Sequence, residues 1–267
     1  MRLQIQIATL TVAALTLAWL PPTSFGAASV YTGGHGDMGV EYDADEDPNG
    51  FFVHLHVAAG AIVDGASLGD SEEFLPSDAI IQVPNSSNIG RTAGVLGGSF
   101  EAYDFTGAGF DFLGTAVGKP LWVLMFDSAD ASYYGQPFFG MGAEEGFVAA
   151  DWSGSIQFAL TGFSGPGDFA AMSGAFSRRW DTQDASFAND LINIGPGGHS
   201  HFYLAFTAPG TYEVELTVTG THKVHGAVTG SDTFTFEVVP EASSLAMVAF
   251  GSVGLAAATW RRRRRGN

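Results

Sequence analysis

The chain has no cysteine, so it can form neither a disulfide nor a thiolate metal site. Cationic side chains are scarce as well. Between residues 27 and 239 there are only Arg91, Lys119, Arg178, Arg179 and Lys223. The whole chain carries a formal charge of −17; setting aside Arg2, and Glu241 with the five arginines near the C-terminus, removes +1 and +4 and leaves −22 for residues 27–239. So acidic a surface argues against nucleic acid and anionic lipid as partners and favours cations. Phosphate loop, dinucleotide fingerprint and His-Glu-x-x-His are all missing, and no catalytic role is expected. Convincing helical periodicity and internal repeats are missing too. Without cross-links, stability must come from one large apolar core.

What is present is glycine, phenylalanine and regular turns. Pro48-Asn49-Gly50, Gly97-Gly98, Gly165-Pro166-Gly167, Gly195-Pro196-Gly197-Gly198 and Pro209-Gly210 punctuate short alternating segments. In 51–57, Val53, Leu55 and Val57 face one way while Phe52, His54 and His56 face the other. In 212–218, Tyr212, Val214, Leu216 and Val218 oppose Glu213, Glu215 and Thr217. In 233–238, Phe234, Phe236 and Val238 share a face. Period-2 patterns broken by Gly and Pro predict an all-β fold, a mostly antiparallel β-sandwich of jelly-roll or Ig-like type, over residues 29–238. The 60s to the 110s, rich in small residues, assign least readily.

The two ends read as addresses. Arg2, an apolar run from Leu3 to Leu20, Pro21-Pro22 and small residues through Ala28 form a signal peptide over 1–28, cut after Gly26 or Ala28. A retained N-terminal anchor is the alternative. At the other end, 239–267, Val239, Pro240 and Glu241 precede an apolar stretch, Ala242 to Trp260, long enough to span a bilayer as a transmembrane helix. Arg261, Arg262, Arg263, Arg264 and Arg265 then hold its far end in the cytoplasm. This order resembles the PEP-CTERM sorting signal of Gram-negative exported proteins, although Ala242 stands where a second proline is usual. The resemblance implies signal peptidase and an exosortase as processing partners and transient anchoring in the inner membrane. It also implies delivery to the cell surface, outer envelope or extracellular matrix. A plain C-terminal membrane anchor is the alternative.

All seven histidines lie between the two ends. His54 and His56 form one His-x-His pair, and His199 and His201 a second. On a strand, residues i and i+2 project from one face about 7 Å apart. Two imidazoles can therefore converge on one ion, with a third ligand from another strand or loop. In both pairs the alternate positions are apolar: Val53, Leu55 and Val57 in one, Phe202, Leu204 and Phe206 in the other. Imidazole with carboxylate or water suits zinc, with copper or nickel behind it. His222 and His225, three apart, read as residues of a hairpin. The acidic stretch 43–50 contains Asp45-x-Asp47-x-Asn49-Gly50, the opening of a calcium loop, but His56 stands where that loop needs a glutamate. Pro48-Asn49-Gly50 reads better as a hairpin turn, leaving calcium at Asp45, Asp47 and Asn49 as the lesser expectation.

With these motifs in hand, the region 33–240 resembles the choice-of-anchor M surface proteins, most closely their PEP-CTERM branch repressed by the zinc uptake regulator. The resemblance runs through Gly34-His35-Gly36-Asp37-Met38-Gly39-Val40, Phe52-Val53-His54-Leu55-His56-Val57, Gly118-Lys119-Pro120-Leu121-Trp122-Val123-Leu124 and Gly165-Pro166-Gly167-Asp168-Phe169. It ends in His199-Ser200-His201-Phe202-Tyr203-Leu204-Ala205-Phe206-Thr207-Ala208-Pro209-Gly210-Thr211-Tyr212, the most specific block. Met125-Phe126-Asp127 departs from the pattern, where a polar segment is usual. The resemblance implies a β-rich surface domain with a role in zinc-limited cells, and His35, Asp37, His54, His56, His199 and His201 match its motif positions. Two functions stay open: a surface module that binds a divalent metal, or a structural protein delivered with extracellular polysaccharide whose histidines are incidental.

Overall fold

A computed structural model describes residues 27–96, 102–184 and 186–240. The expected signal helix and the apolar, arginine-ended stretch of the sorting segment lie outside these residues. Among the described residues no helix is long and apolar enough to cross a membrane.

The fold is all-β. A long first strand, β1 (Ser29–Glu41), is followed across the acidic loop by β2 (Phe52–Val57), and β3 (Ile62–Val63), β4 (Ala66–Ser67) and β5 (Glu72–Phe74) are short pieces beside them. Next come β6 (Ala79–Val83), β7 (Ala93–Leu96), β8 (Ala102–Asp104) and β9 (Trp122–Leu124), then one short helix, α1 (Ser128–Tyr134). The second half contains β10 (Pro137–Ala143), β11 (Ile156–Ser164), β12 (Phe169–Met172), β13 (Arg178–Asp181), β14 (Leu191–Ile194), β15 (Gly198–His201) and β16 (Tyr203–Phe206). A long hairpin, β17 (Gly210–His222) and β18 (Gly226–Val238), is the last element among the described residues.

The main sheet runs β14-β11-β17-β18-β6-β1-β10-β15, and a second runs β13-β12-β16-β9. Pairing is not antiparallel throughout: β1 pairs parallel with both β6 and β10, and β6 pairs parallel with β18. Parallel neighbours need long crossovers, and no local turn signal marks them. β1 serves two neighbours in turn, meeting β6 through residues 29–31 and β10 through residues 34–39. The switch falls at Gly34, whose φ is +87° and whose Cβ would lie 2.6 Å from the Ala61 Cα, so no other residue fits.

The alternations predicted for β2, β17 and β18 hold: Val53, Leu55 and Val57, then Tyr212, Val214, Leu216 and Val218, then Phe234, Phe236 and Val238 are all buried in one core. Phe236 meets Phe139, Phe169 and Phe206 at centroid distances of 5.8, 6.2 and 5.4 Å, joining the last strand to three others. Each such ring contributes about 1.5–3 kcal/mol by leaving water. The Pro209-Gly210-Thr211-Tyr212 turn is closed by its own tyrosine. Tyr212 Oη donates to the Ala208 carbonyl at 2.7 Å and accepts from the Ala208 N–H at 3.0 Å. Burial pushes that phenol up to about 12. Met125-Phe126-Asp127 carries the chain from β9 into α1, with the Asp127 carboxylate accepting from the Ala129 N–H as the helix cap.

Candidate metal centre

Four strands, β2, β1, β10 and β15, lie side by side, and their register aligns the motif residues in two transverse rows. One row reads His54, Gly39, Gly142, His199. The next reads His56, Asp37, Gly140, His201, with Glu73 of β5 beyond His56. Met38, Val40, Val53, Leu55, Phe139 and Met141 point into the core, so by alternation these rows occupy the opposite face of the sheet.

Glycine at the centre of each row makes the arrangement possible. A Cβ on Gly39 would stand 2.6 Å from His54 Nε2, and one on Gly140 would stand 2.5 Å from Asp37 Oδ1 and 3.0 Å from His201 Cδ2. The imidazoles and the carboxylate thus lie down over bare backbone. Gly142 is looser, its nearest neighbours 3.6 Å away.

Two groups of ligand atoms result, each with its atoms within 4.8 Å of one another: His35, His199 and His201, and His54, His56, Glu73 and Glu145. In the first, His35 Nε2 and His201 Nε2 are 3.0 Å apart, and His35 Nε2 is 3.2 Å from Asp37 Oδ2. In the second, Glu145 places Oε2 at 3.6 Å from His54 Nε2 and Oε1 at 3.2 Å from His56 Nδ1. Ligands 2.0–2.1 Å from a tetrahedral ion are about 3.4 Å apart, so these separations suit a shared ion. Asp37 is 1 % exposed and His54 fully buried. Beyond these ion-pair contacts, neither Asp37 oxygen, neither His54 ring nitrogen and not His56 Nδ1 has a hydrogen-bond partner. Buried polar atoms are rarely left so, and a carboxylate least of all.

The loop after β10 serves both groups. Glu144 Oε1 meets His199 Nδ1 at 3.0 Å, while the next residue, Glu145, turns to His54 and His56. The turn is pinned by the Tyr42 N–H donating to the Glu145 carbonyl at 3.2 Å and by Gly146, whose φ is +73°. The Glu145 carboxylate beside it raises the His56 imidazole above its ordinary range. The same two histidines hold Glu145 well below the usual carboxylate range. Burial pushes His201 down to about 4, keeping its ring neutral. That ring stacks on Phe138 at 3.8 Å. His35 also lines a groove of about 630 Å³ shared with Ser128, Ala131 and Ser132 of α1.

All six motif residues expected to bind metal therefore sit on one sheet face, with each His-x-His pair in its own group. One detail of the sequence reading is corrected. His199 and His201 do not share a strand with Leu204 and Phe206, because the chain leaves the main sheet after β15 and enters the second sheet as β16. Tyr203 and Ala205 are buried as fully as Leu204 and Phe206, since β16 packs on both faces. His54, on the non-core face as expected, is nonetheless buried.

The acidic stretch is the β1–β2 connection. Its carboxylates cap their own turns, Asp43 Oδ1 accepting from the Asp45 N–H and Asp47 Oδ1 from the Asn49 N–H. Asp45, Asp47 and Asn49 belong to neither ligand group. His222 accepts at Nδ1 from the N–H groups of Val224 and His225 within the β17–β18 turn, and His225 bonds the Tyr42 hydroxyl. The sequence also spells Gly65-Ala66-Ser67-Leu68-Gly69, the Gly-x-Ser-x-Gly pattern of hydrolase nucleophiles. Here it forms an exposed two-residue strand rather than a strand-to-helix elbow, and Ser67 donates to the Gly60 carbonyl. Sequence reasoning missed Glu73, Glu144 and Glu145, and the only signal for the last two was their place just after Gly140-Met141-Gly142-Ala143.

No family model, no curated protein and no solved structure matches this chain. The likeness to choice-of-anchor M proteins accordingly rests on the motifs alone.

Proposed function

We propose that this chain is an exported, exosortase-sorted surface protein that binds a divalent metal ion, zinc by its donor set, and does no chemistry on it. The observation that carries the metal reading is Asp37, a buried carboxylate that meets the His35 ring at 3.2 Å, has no partner at Oδ1, and lies in register between His56 and His201. Imidazole and carboxylate without thiolate are the donors zinc accepts, and the −22 charge of residues 27–239 concentrates cations near them. Delivery by PEP-CTERM sorting rests on the resemblance of the two ends. The two packed apolar faces support a β-sandwich, with jelly-roll or Ig-like connectivity as the finer reading.

The test is metal content and thermal stability. The full chain, stripped with chelator and dialysed against zinc, should retain stoichiometric metal. At a thousandfold excess over Kd, zinc should stabilise the fold by about 4 kcal/mol, a rise in Tm of roughly 8–16 °C. No retained metal and no shift would return the chain to a structural role among extracellular polysaccharide.

A further inference from the structure

Resting on the metal-binding reading, we infer that the sheet face holds two ions, bridged by the Asp37 carboxylate. The ligand atoms form two groups with no residue in common. The pairs His54/His56 and His199/His201 stand on strands separated by β1 and β10, about 14 Å between backbones at roughly 4.8 Å per strand. Ligand atoms around one tetrahedral ion lie about 3.4 Å apart, and the two pairs, though their rings lean inward over β1 and β10, fall into separate groups of ligand atoms. Each group instead has its own completing ligands. His35 crosses from β1 to His201, and Glu145 closes over His54 and His56.

Asp37 lies between the two. In its row it neighbours His56 on one side and, across bare Gly140, faces His201 on the other. Both of its oxygens are buried; Oδ2 lies 3.2 Å from the His35 ring, and Oδ1 has no hydrogen-bond partner. An ion held beside His35 would take Oδ2 and leave Oδ1 orphaned, a costly state for a buried carboxylate. Two ions use one each. The divergence of Glu144 to His199 and Glu145 to His56 fits the same division, Glu144 orienting a ring of one group and Glu145 joining the other as a ligand.

Isothermal titration of the stripped full chain with zinc, checked by elemental analysis, decides the matter. Two equivalents are expected in the wild type. One is expected after His199→Ala with His201→Ala, and one after His54→Ala with His56→Ala, each variant first shown to keep its β spectrum. Asp37→Asn should weaken at least one ion tenfold or more while the chain stays folded. X-ray absorption of the loaded wild type should show a zinc–zinc distance of about 3.5–4 Å. One equivalent in the wild type overturns the pair and leaves the metal-binding reading standing. Two equivalents with Asp37→Asn unchanged and no zinc–zinc feature overturn the bridge. No bound zinc at all is the failure of the underlying reading. If a double variant does not fold, wild-type stoichiometry and the zinc–zinc distance still decide.

Discussion

The two ligand groups share a sheet face and a glycine floor, yet they differ in kind. His35, His199 and His201 offer three imidazoles and no carboxylate, with Glu144 bonded behind one of them at His199 Nδ1. His54, His56, Glu73 and Glu145 offer two imidazoles and two carboxylates, which neutralise a divalent ion outright. The first group is built from strands brought together by long-range pairing, and the second from a local β2–β5 neighbourhood plus one loop. The difference teaches that donor charge, rather than histidine count, distinguishes the two halves of the face. It also makes them separable by experiment.

The largest separation should come from the adjacent glutamates. Glu145→Gln removes a ligand that touches both His54 and His56, and should cost the ion there well over a hundredfold in affinity while sparing its neighbour. Glu144→Gln removes only the group that orients His199, and should cost the other ion about 10–100-fold. Titrations of the two variants that came out alike would erase the distinction between ligand and orienting group.

Acid should separate the groups next. A histidine must lose its proton to bind metal, so a raised imidazole yields its ion at higher pH and a lowered one holds on longer. Glu145 raises His56, whereas burial holds His201 near 4. Lowering the pH from 7 to 5.5 should therefore release zinc from the His54/His56 group first, by up to about tenfold in affinity per pH unit. Zinc release followed in each double-alanine variant measures this, and release in the opposite order would contradict it.

The smallest effect tests the floor. Gly39→Ala sets a methyl group against His54 Nε2 and should cost about 1–3 kcal/mol through displacement of that ring, with a matching loss at its ion. Gly142→Ala has ordinary contact distances on every side and should leave both ions within a factor of two. Equal tolerance at the two positions, read by melting and zinc titration, would show that the rings do not lie on the backbone as described.

Much of this was legible in the sequence where the physics is local. Period-2 alternation fixed the inward faces of β2, β17 and β18, because a strand half in water must alternate. The same alternation placed His54 and His56 away from the core. It failed beyond His201, where the buried Phe202 links two strands of different sheets and the alternation runs on across the break. Glu73, Glu144 and Glu145 could not be picked from 28 acidic residues, since their partners are set by register between distant strands. The glycines at 39, 140 and 142 carry no local signal that sets them apart from the other 33. Their use as a floor for side chains from neighbouring strands becomes visible only in three dimensions.

The most direct measurement is an anomalous difference map at the zinc edge from crystals of the zinc-loaded protein. Two peaks are predicted on either side of Asp37, one beside His35, His199 and His201 and the other beside His54, His56 and Glu145. A map with no peak on this sheet face, from protein grown in saturating zinc, would contradict metal binding by these residues altogether.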